Sequence, residues 1–179
     1  MARGQASNSE DADYSFKIVL LGDPAVGKTS FVKRYVDNMF RMDYIMTIGT
    51  DVRVKTVYVD DKKVKLVIWD LAGQPIFHDV RETYCKGAEG AVLVFDLTRQ
   101  DTLTNLHGWI QTLWNTAGKL PLAVVGNKAD LKSIREISRE RALDLVRFSG
   151  AKYFETSAKT GEHVDNTFLY LTEIILKNL

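Results

Sequence analysis

The chain lacks the features that mark disulfide-rich, repetitive or low-complexity proteins. It contains one cysteine, Cys85, so no intrachain disulfide can form, and this count is compatible with a reducing compartment. It has only three prolines, and it shows no internal repeat and no low-complexity block. We therefore predict one folded domain, since 179 residues suit a single domain with a sizeable core.

Long apolar runs and an excess of one charge are also missing. No run approaches the about 20 apolar residues that a membrane-spanning helix requires. Lys and Arg total 24 and Asp and Glu total 23, a near balance that argues against nucleic-acid binding. Residues 1–15 contain no apolar stretch, so we expect a disordered polar arm rather than a secretory signal. Neither end carries a lipidation motif, which leads us to expect a cytoplasmic protein without its own membrane anchor, unless a missing tail or a partner supplies one.

What the chain does contain is an alternation of apolar strands and amphipathic helices over residues 16–179. Strands are predicted at 16–22, 52–60, 64–70, 91–96, 122–127 and 152–155, and helices at 30–40, around 103–113, at 139–148 and at 164–176. The polar turn at 60–62 joins two strands as an antiparallel hairpin. The pattern predicts an α/β fold with a six-stranded, mostly parallel sheet, one antiparallel strand and helices on both faces.

The first predicted strand leads into GDPAVGKT at 22–29, a complete G-x-x-x-x-G-K-[ST] loop followed by a helix. The backbone N–H groups of such a loop surround phosphate oxygens, aided by the helix N-terminus. Lys28 is expected to pair with the β- and γ-phosphates, and Thr29 to give its hydroxyl to Mg²⁺. The alternative is a glycine-containing turn that binds nothing. The motif by itself predicts a P-loop NTPase domain and leaves the base open.

A second motif, Asp70-Leu-Ala-Gly73-Gln74, directly follows an apolar strand. The carboxylate of Asp70 can hold Mg²⁺ through its water shell. Gly73 allows a backbone N–H to approach the γ-phosphate closely, and Gln74 can orient a water molecule for attack. Asp and Gly are common at strand ends, so this motif is informative only through its position.

Two further motifs follow the last two strands. In Asn127-Lys128-Ala129-Asp130, the carboxylate of Asp130 can accept the ring N–H and the exocyclic amino hydrogens of guanine, an arrangement that adenine does not offer. The segment ETSAK at 155–159 can close over the base through backbone N–H groups and the stem of Lys159. Each alone could be a polar loop. Four motifs in one order, each after a strand, favour a guanine-nucleotide site.

With these motifs the chain resembles the Ras superfamily of small GTPases over about residues 16–178, and most of all its Rab branch. The Rab likeness lies in TIGTD at 47–51, KLVIWDLAGQ at 65–74 and YCKGAEGAVLVFDLT at 84–98. The resemblance implies a monomeric switch that binds GTP and GDP with Mg²⁺ and acts in membrane trafficking or related signalling. Its exchange factor, activating protein and effectors would bind the switch segments at 38–51 and 72–86.

The resemblance also implies roles for individual residues. Thr47 would bind Mg²⁺ and the γ-phosphate, Tyr44 would fold over the phosphates, and Phe40 would pack edge-on against guanine, or else belong to ordinary helix-end packing. Catalysis would rest on Gln74, Lys28 and Thr47, and the metal site on Thr29, Thr47 and Asp70. The residues expected at the nucleotide are Asp23, Pro24, Ala25, Val26, Gly27, Lys28, Thr29, Ser30, Phe40, Tyr44, Thr47, Gly73, Asn127, Lys128, Asp130, Leu131, Ser157, Ala158 and Lys159.

The chain departs from the family pattern at Pro24, where glycine or serine is usual, and in PIFHDVR after Gln74. These departures leave open a second hypothesis, a scaffold that binds GTP but scarcely hydrolyses it. A P-loop kinase for small metabolites is disfavoured because it has no need of the motif at 127–130. Arg41, next to Phe40, is expected to point away from the phosphates, so we expect no arginine in cis and slow hydrolysis. Trp109 is expected to be a packing residue.

Overall fold

The computed structural model describes residues 12–42, 47–73 and 83–179, and a single sheet organises them. Its strands are β1 (Tyr14–Leu21), β2 (Thr50–Val59), β3 (Lys62–Leu71), β4 (Gly90–Asp96), β5 (Leu122–Asn127) and β6 (Lys152–Glu155). Their order across the sheet is β2-β3-β1-β4-β5-β6; β2 runs antiparallel to β3, and the other neighbours are parallel. The predicted α/β fold, with six strands of which one is antiparallel, is confirmed.

The burial of each strand follows from its place in the sheet. Every residue of β4 and β5 is buried, as expected for parallel strands covered on both faces. The edge strand β2 instead alternates between exposed and half-buried positions. The carboxyl ends of β1, β3, β4 and β5 therefore lie along one rim of the sheet, where the four sequence motifs begin.

Helices cover both faces of the sheet, as predicted. They are α1 (Lys28–Asp37), α2 (Gln100–Thr104), α3 (Leu106–Ala117), α4 (Arg139–Val146) and α5 (Val164–Lys177), with 3₁₀ helices at Lys132–Ile134 and Arg147–Ser149. Helices α1 and α5 pack together on one face, where the rings of Tyr35 and Phe168 stack with centroids 3.9 Å apart. Helices α2 to α4 bury Leu103, Ile110 and Ala142 on the other face. No helix in the described ranges is long and apolar enough to cross a membrane.

Several boundaries differ from the sequence prediction by a few residues, and the helix predicted around 103–113 is two helices, α2 and α3. Three of the differences have a local reason. Strand β1 begins at Tyr14 rather than at residue 16, because pairing with β3 continues that far and Asp13 N–H donates to the Lys63 carbonyl at 2.8 Å. The hairpin turn is shorter than predicted. Asp60 and Asp61 both have positive φ, 49° and 60°, which makes a two-residue turn and leaves the following lysine in β3.

The third difference lies at the end of α1. The apolar spacing of residues 30–40 predicts a helix to residue 40, but α1 ends at Asp37. Asn38 adopts the left-handed conformation, with φ 52°, and its N–H donates to the Arg34 carbonyl. Residues 39–42 consequently leave the helix and turn toward the rim of the sheet.

Candidate functional site

The loop at 22–27 joins β1 to α1 and packs tightly against neighbouring strands. Gly22 and Gly27 have φ values of 140° and 98°. A Cβ atom at residue 22 would lie 2.1 Å from the carbonyl oxygen of Val94 in β4, and one at residue 27 would lie 2.4 Å from Nδ2 of Asn127 in β5. Only glycine fits at these two positions, so the loop can lie directly on the strand ends with α1 starting behind it.

Lys28 lies beneath this loop rather than in solvent. Its Nζ donates to the carbonyl oxygens of Gly22 and Asp23, both at 2.8 Å, and the residue is only 6% exposed. Carbonyl oxygens compensate only part of the cost of burying an ammonium group. The side chain is therefore a fixed positive charge against which an anion can bind.

Three oxygen-bearing side chains meet at the start of α1. The hydroxyls of Thr29 and Thr47 are 2.6 Å apart, and the Thr29 hydroxyl also donates to Oδ2 of Asp70. The other carboxylate oxygen, Oδ1, is buried and has no hydrogen-bond partner among the described residues. Burial raises the pKa of Asp70 to about 6, although the hydrogen bond from Thr29 and the charge of Lys28 act in the opposite direction.

These three side chains fit Mg²⁺. Magnesium binds hydroxyl, carboxylate and water oxygens, and it often takes only one or two protein ligands beside substrate phosphates. The unpartnered oxygen of Asp70 and the convergent hydroxyls of Thr29 and Thr47 supply such a set. Across the described ranges there is no group of three or more His, Cys, Asp or Glu side chains that could hold a metal instead.

Gly73 brings the second motif against the first. A Cβ atom at this residue would lie 2.6 Å from the carbonyl oxygen of Gly22, the carbonyl carbon of Asp23 and the nitrogen of Pro24. The backbone just after β3 therefore rests on the beginning of the loop, within a space that admits no side chain.

Asn127 joins three motifs through its side-chain amide. Its Nδ2 donates to the Val26 carbonyl at 3.0 Å, and its Oδ1 accepts from Ala158 N–H at 3.1 Å and from the Thr156 hydroxyl at 3.3 Å. The residue is buried at the end of β5. One side chain thus fixes the distance between the loop at 22–27 and the loop at 156–159.

Asp130 is oriented by the loop at 156–159. The Ser157 hydroxyl donates to its Oδ1 at 2.6 Å, and Ala129 N–H donates to the Thr156 carbonyl at 2.9 Å. From the other side, the guanidinium of Arg34 donates to the carbonyls of Ala158 and Lys159 at 2.8 and 2.6 Å. A carboxylate held in this way can accept two hydrogen bonds from a flat heterocycle.

These features surround one cleft of about 560 Å³, a size within the usual range for small-molecule sites. Most of the predicted nucleotide-binding residues line it: Pro24, Ala25, Gly27, Lys28, Thr29, Ser30, Phe40, Thr47, Gly73, Asn127, Lys128, Asp130, Leu131, Ala158 and Lys159. The sequence analysis missed further lining residues, which are Lys33, Asp37, Met39, Arg41, Met42, Arg53 and Ala72.

Four other predicted site residues do not line the cleft. Val26, Asp70 and Ser157 are buried behind its wall. Asp23 turns its carboxylate to the opposite side of the loop, toward helix α3. The predicted Gln74 and Tyr44 lie outside the described residues, as do residues 1–11 of the predicted arm and parts of both switch segments, at 43–46 and 74–82.

Arg41, which we expected to point away from the phosphates, borders the cleft, because α1 ends at Asp37 and the chain turns toward it. Trp109 packs in the core as predicted, but its indole Nε1 also donates to Asp23. Phe40 lines the cleft and also packs against the buried cluster beneath α1 and α5.

The buried carboxylate of Asp96 was also missed. It ends β4, forms an ion pair with Lys128 Nζ at 2.6 Å, and is only 1% exposed. The same Lys128 Nζ donates to the Ala25 carbonyl at 3.0 Å. A signal was present: the sequence Asp96-Leu-Thr-Arg99 follows a buried strand, as the four recognised motifs do.

The chain is similar in sequence to Ras-related proteins. The model of the Ras family matches residues 17–177. The chain is 39% identical to Ras-related protein Rab-13 of Canis lupus familiaris over 168 residues, which are 93% of this chain and 83% of that protein. It is 38% identical to Ras-related protein Rab-3A of Homo sapiens over 177 residues, 97% of this chain and 79% of that protein. Ras-related protein Rab-10 of Caenorhabditis elegans is 39% identical over 168 residues, covering 93% and 84%.

Proposed function

The chain belongs to the Ras family of small GTPases and is of the Rab type, and from that premise we propose that it is a guanine-nucleotide switch. It binds GTP or GDP together with Mg²⁺ and hydrolyses GTP slowly to GDP and phosphate. The observation that carries the proposal is the single cleft bounded by Lys28, Thr47 and Gly73 at one end and by Asp130 at the other.

The end of the cleft at Lys28, Thr47 and Gly73 would bind the phosphates and balance their negative charge. The ammonium of Lys28 pairs with the β- and γ-phosphates, and backbone N–H groups of the loop at 22–27 point at their oxygens. When bound, Mg²⁺ neutralises charge on the same oxygens; Thr29 and Thr47 would ligate it, with Asp70 behind them. The terminal phosphate would lie beside Gly73, whose backbone already touches the loop.

The end of the cleft at Asp130 would bind the base and select guanine over adenine. Asp130, held by Ser157, accepts the ring N–H and the amino hydrogens of guanine. Adenine would leave that carboxylate unpaired, and such a mismatch discriminates by orders of magnitude. Phe40 and Lys159 line the cleft and would cover the faces of the base.

Hydrolysis is in-line attack of water on the γ-phosphate, in which Gln74 orients the water. Catalysis of this kind consists of positioning and charge stabilisation. An arginine contributed by a partner accelerates related enzymes by about 10³–10⁵-fold. We therefore propose a slow intrinsic rate that an activating protein increases, and Gln74→Leu should lower it further.

The switch segments at 38–51 and 72–86 would change with the nucleotide, because Thr47 and Gly73 contact the γ-phosphate only in the GTP state. The exchange factor, the activating protein and the effectors would bind these two segments. The process that the switch controls would be membrane trafficking. Beside them, the rings of Trp69 and Tyr84 lie 5.5 Å apart, and Val52 on the adjacent strand is exposed. An apolar group of this kind fits an effector surface.

The decisive experiment is mass spectrometry of the nucleotide released from protein purified without added nucleotide. GDP or GTP is the expected result, and adenine nucleotide alone would refute the assignment. Single-turnover hydrolysis of bound GTP, for the wild type and Gln74→Leu, then separates a slow GTPase from a GTP-binding scaffold. A wild type that carries GTP and never turns it over would establish the scaffold instead.

A further inference from the structure

The loop at 22–27 is called the phosphate loop from here on. Three of its consecutive carbonyl groups each accept a hydrogen bond from a side chain outside the loop. The bonds are Arg99 Nη2 to Pro24 O at 2.9 Å, Lys128 Nζ to Ala25 O at 3.0 Å and Asn127 Nδ2 to Val26 O at 3.0 Å. In a trans peptide the C=O and the next N–H point in opposite directions. Each of these side chains therefore directs one loop N–H away from itself.

The arginine in this set is held by a buried carboxylate. Asp96 faces Arg99 Nε at 3.7 Å and Lys128 Nζ at 2.6 Å, so one carboxylate supports two of the three donors. Its Oδ1 accepts from both the N–H and the hydroxyl of Thr98, at 2.9 and 2.7 Å. The same carboxylate thus attracts both cations toward the loop, Lys128 at close range and Arg99 at a longer distance.

The two peptide units that these cations hold are the ones that flank Ala25. Ala25 has φ 61°, a left-handed conformation that a residue with a Cβ atom adopts at a cost. Such a conformation persists where surrounding contacts enforce it. Arg99 holds the carbonyl before Ala25 and Lys128 holds the carbonyl after it.

Pro24 explains why the hydrogen bond from Arg99 matters for the function of the loop. Proline has no N–H, so the loop lacks a donor at residue 24, and the N–H of Ala25 is the next that it can offer. This part of the loop is also the one that Gly73 contacts. Under the proposed function, it adjoins the terminal phosphate.

We propose that Arg99 is a positioning residue for GTP hydrolysis: by holding the Pro24 carbonyl, it aims the Ala25 N–H at the terminal phosphate. The guanidinium lies behind the peptide and does not line the cleft, so it acts through the backbone. Hydrogen bonds in a chain polarise one another, which strengthens the N–H where negative charge develops in the transition state. This inference rests on the proposed function.

The test compares Arg99→Gln and Arg99→Lys with a matched control, Arg147→Gln. Arg147 also pairs with an aspartate three residues earlier, Asp144 at 3.3 Å, but its side chain is 81% exposed on the surface. The measurements are single-turnover GTP hydrolysis, the dissociation constants of GTP and GDP, and ³¹P NMR of a bound non-hydrolysable GTP analogue.

Removing a donor that touches the reacting oxygen costs about 10²–10³-fold, and for an indirect residue we expect a loss of about tenfold in the hydrolysis rate of Arg99→Gln. GDP affinity should change much less, and the ³¹P resonances of the analogue should shift. Arg99→Lys should recover part of the rate because it keeps a cationic donor, and Arg147→Gln should match the wild type.

A hydrolysis rate and ³¹P spectrum of Arg99→Gln equal to those of the wild type would overturn the proposal. Equal weakening of GTP and GDP binding with unchanged ³¹P shifts would also overturn it, since it would leave only a structural role. A wild type that carries no guanine nucleotide would refute the proposed function itself, before any variant is compared.

Discussion

The indole Nε1 of Trp109 lies 2.7 Å from a carboxylate oxygen of Asp23, in a hydrogen bond that ties helix α3 to the phosphate loop. The other carboxylate oxygen accepts from Asn105 Nδ2, also at 2.7 Å. Trp109 is only 9% exposed, so this bond is sheltered from water. No residue of α3 lines the cleft, yet the beginning of the loop is held by that helix.

Replacing Trp109 by phenylalanine keeps an aromatic ring in the core and removes this donor. Hydrogen bonds to charged groups contribute about 1.5–3 kcal/mol, so we expect a loss of that order in the free energy of unfolding. GDP should also dissociate faster, because Asp23 belongs to the loop that would hold the phosphates. Urea titration and release of a fluorescent GDP analogue measure the two effects.

Trp114→Phe is the control for this prediction. Trp114 lies on the same helix and packs against the ring of Phe148, 6.3 Å away, at a distance from the loop. It should leave GDP release unchanged. Equal GDP release rates in the two variants would show that the bond to Asp23 does not support the loop.

Gly73→Ala should weaken binding of GTP more than binding of GDP. An added Cβ would lie 2.6 Å from three backbone atoms of the loop, which cannot move as a side chain could. Overpacking of this kind costs about 1–3 kcal/mol, and the displaced residue is the one proposed to approach the γ-phosphate. Competition binding with both nucleotides measures the difference.

Gly108→Ala serves as the matched glycine substitution. Outside the helix's own backbone, nothing lies within 4 Å of a Cβ added there, in the first turn of α3. The change should leave both affinities unaltered and raise stability by about 0.5–1 kcal/mol. If Gly73→Ala weakens GTP and GDP to the same degree, residue 73 has no special relation to the terminal phosphate.

Asp130→Asn should exchange guanine selectivity for xanthine selectivity. Xanthine presents a carbonyl where guanine has its amino group, so an amide donor suits it and a carboxylate does not. We expect GTP binding to fall by about 10²-fold or more and binding of xanthosine triphosphate to improve. Asp144→Asn, on a side chain 72% exposed, should change neither affinity. Retained preference for GTP in Asp130→Asn would place the base elsewhere.

The ion pair between Arg135 and Glu155 should make the loop at 156–159 sensitive to acid. Arg135 donates to both carboxylate oxygens, at 2.9 and 2.6 Å. Burial by itself raises the pKa of Glu155, but the hydrogen bonds and charge of Arg135 outweigh it and lower the pKa below the usual 4.5. Because the folded pKa is lower, this stabilisation is complete above the unfolded value and is lost as pH falls through the folded one.

Glu155→Gln should therefore unfold with a weaker dependence on pH than the wild type in the acid range below about pH 4.5. Urea midpoints measured from neutral pH downward test this. Glu162→Gln, an exposed glutamate outside this pair, is the control and should keep the wild-type dependence. An unchanged acid dependence in Glu155→Gln would show that this pair adds no pH-dependent stability.

Much of the fold could be predicted because the buried strands are continuous apolar runs, as in VLLG before the phosphate loop and LAVVGN before Lys128. The position of the cleft could also be predicted, since parallel strands bring their carboxyl ends to one rim of the sheet. The end of α1 could not be predicted. The apolar spacing continues past Asp37, and Asn38, a residue type that often adopts the left-handed conformation after a helix, is too weak a signal to outweigh that spacing.

Contacts between residues that are distant in the sequence could not be predicted either. Arg99 and Pro24 are 75 positions apart, and Trp109 and Asp23 are 86 apart. Each contact depends on how α2 and α3 pack against the loop, which no local pattern contains. A tryptophan with helical spacing predicts packing, and its N–H finds a partner only after the tertiary structure has formed.

The strand order also determines when the molecule becomes competent during its synthesis. β1 and the phosphate loop are synthesised first, but the hydroxyl and backbone N–H groups that orient Asn127 and Asp130 belong to residues 156–158. Helix α5, which packs on α1 through Phe168 and Tyr35, emerges later still. A nascent chain exposed only to Gly150 would display the phosphate loop without a base pocket. Under the proposed function, nucleotide capture thus has to follow the synthesis of β6 and of residues 156–158.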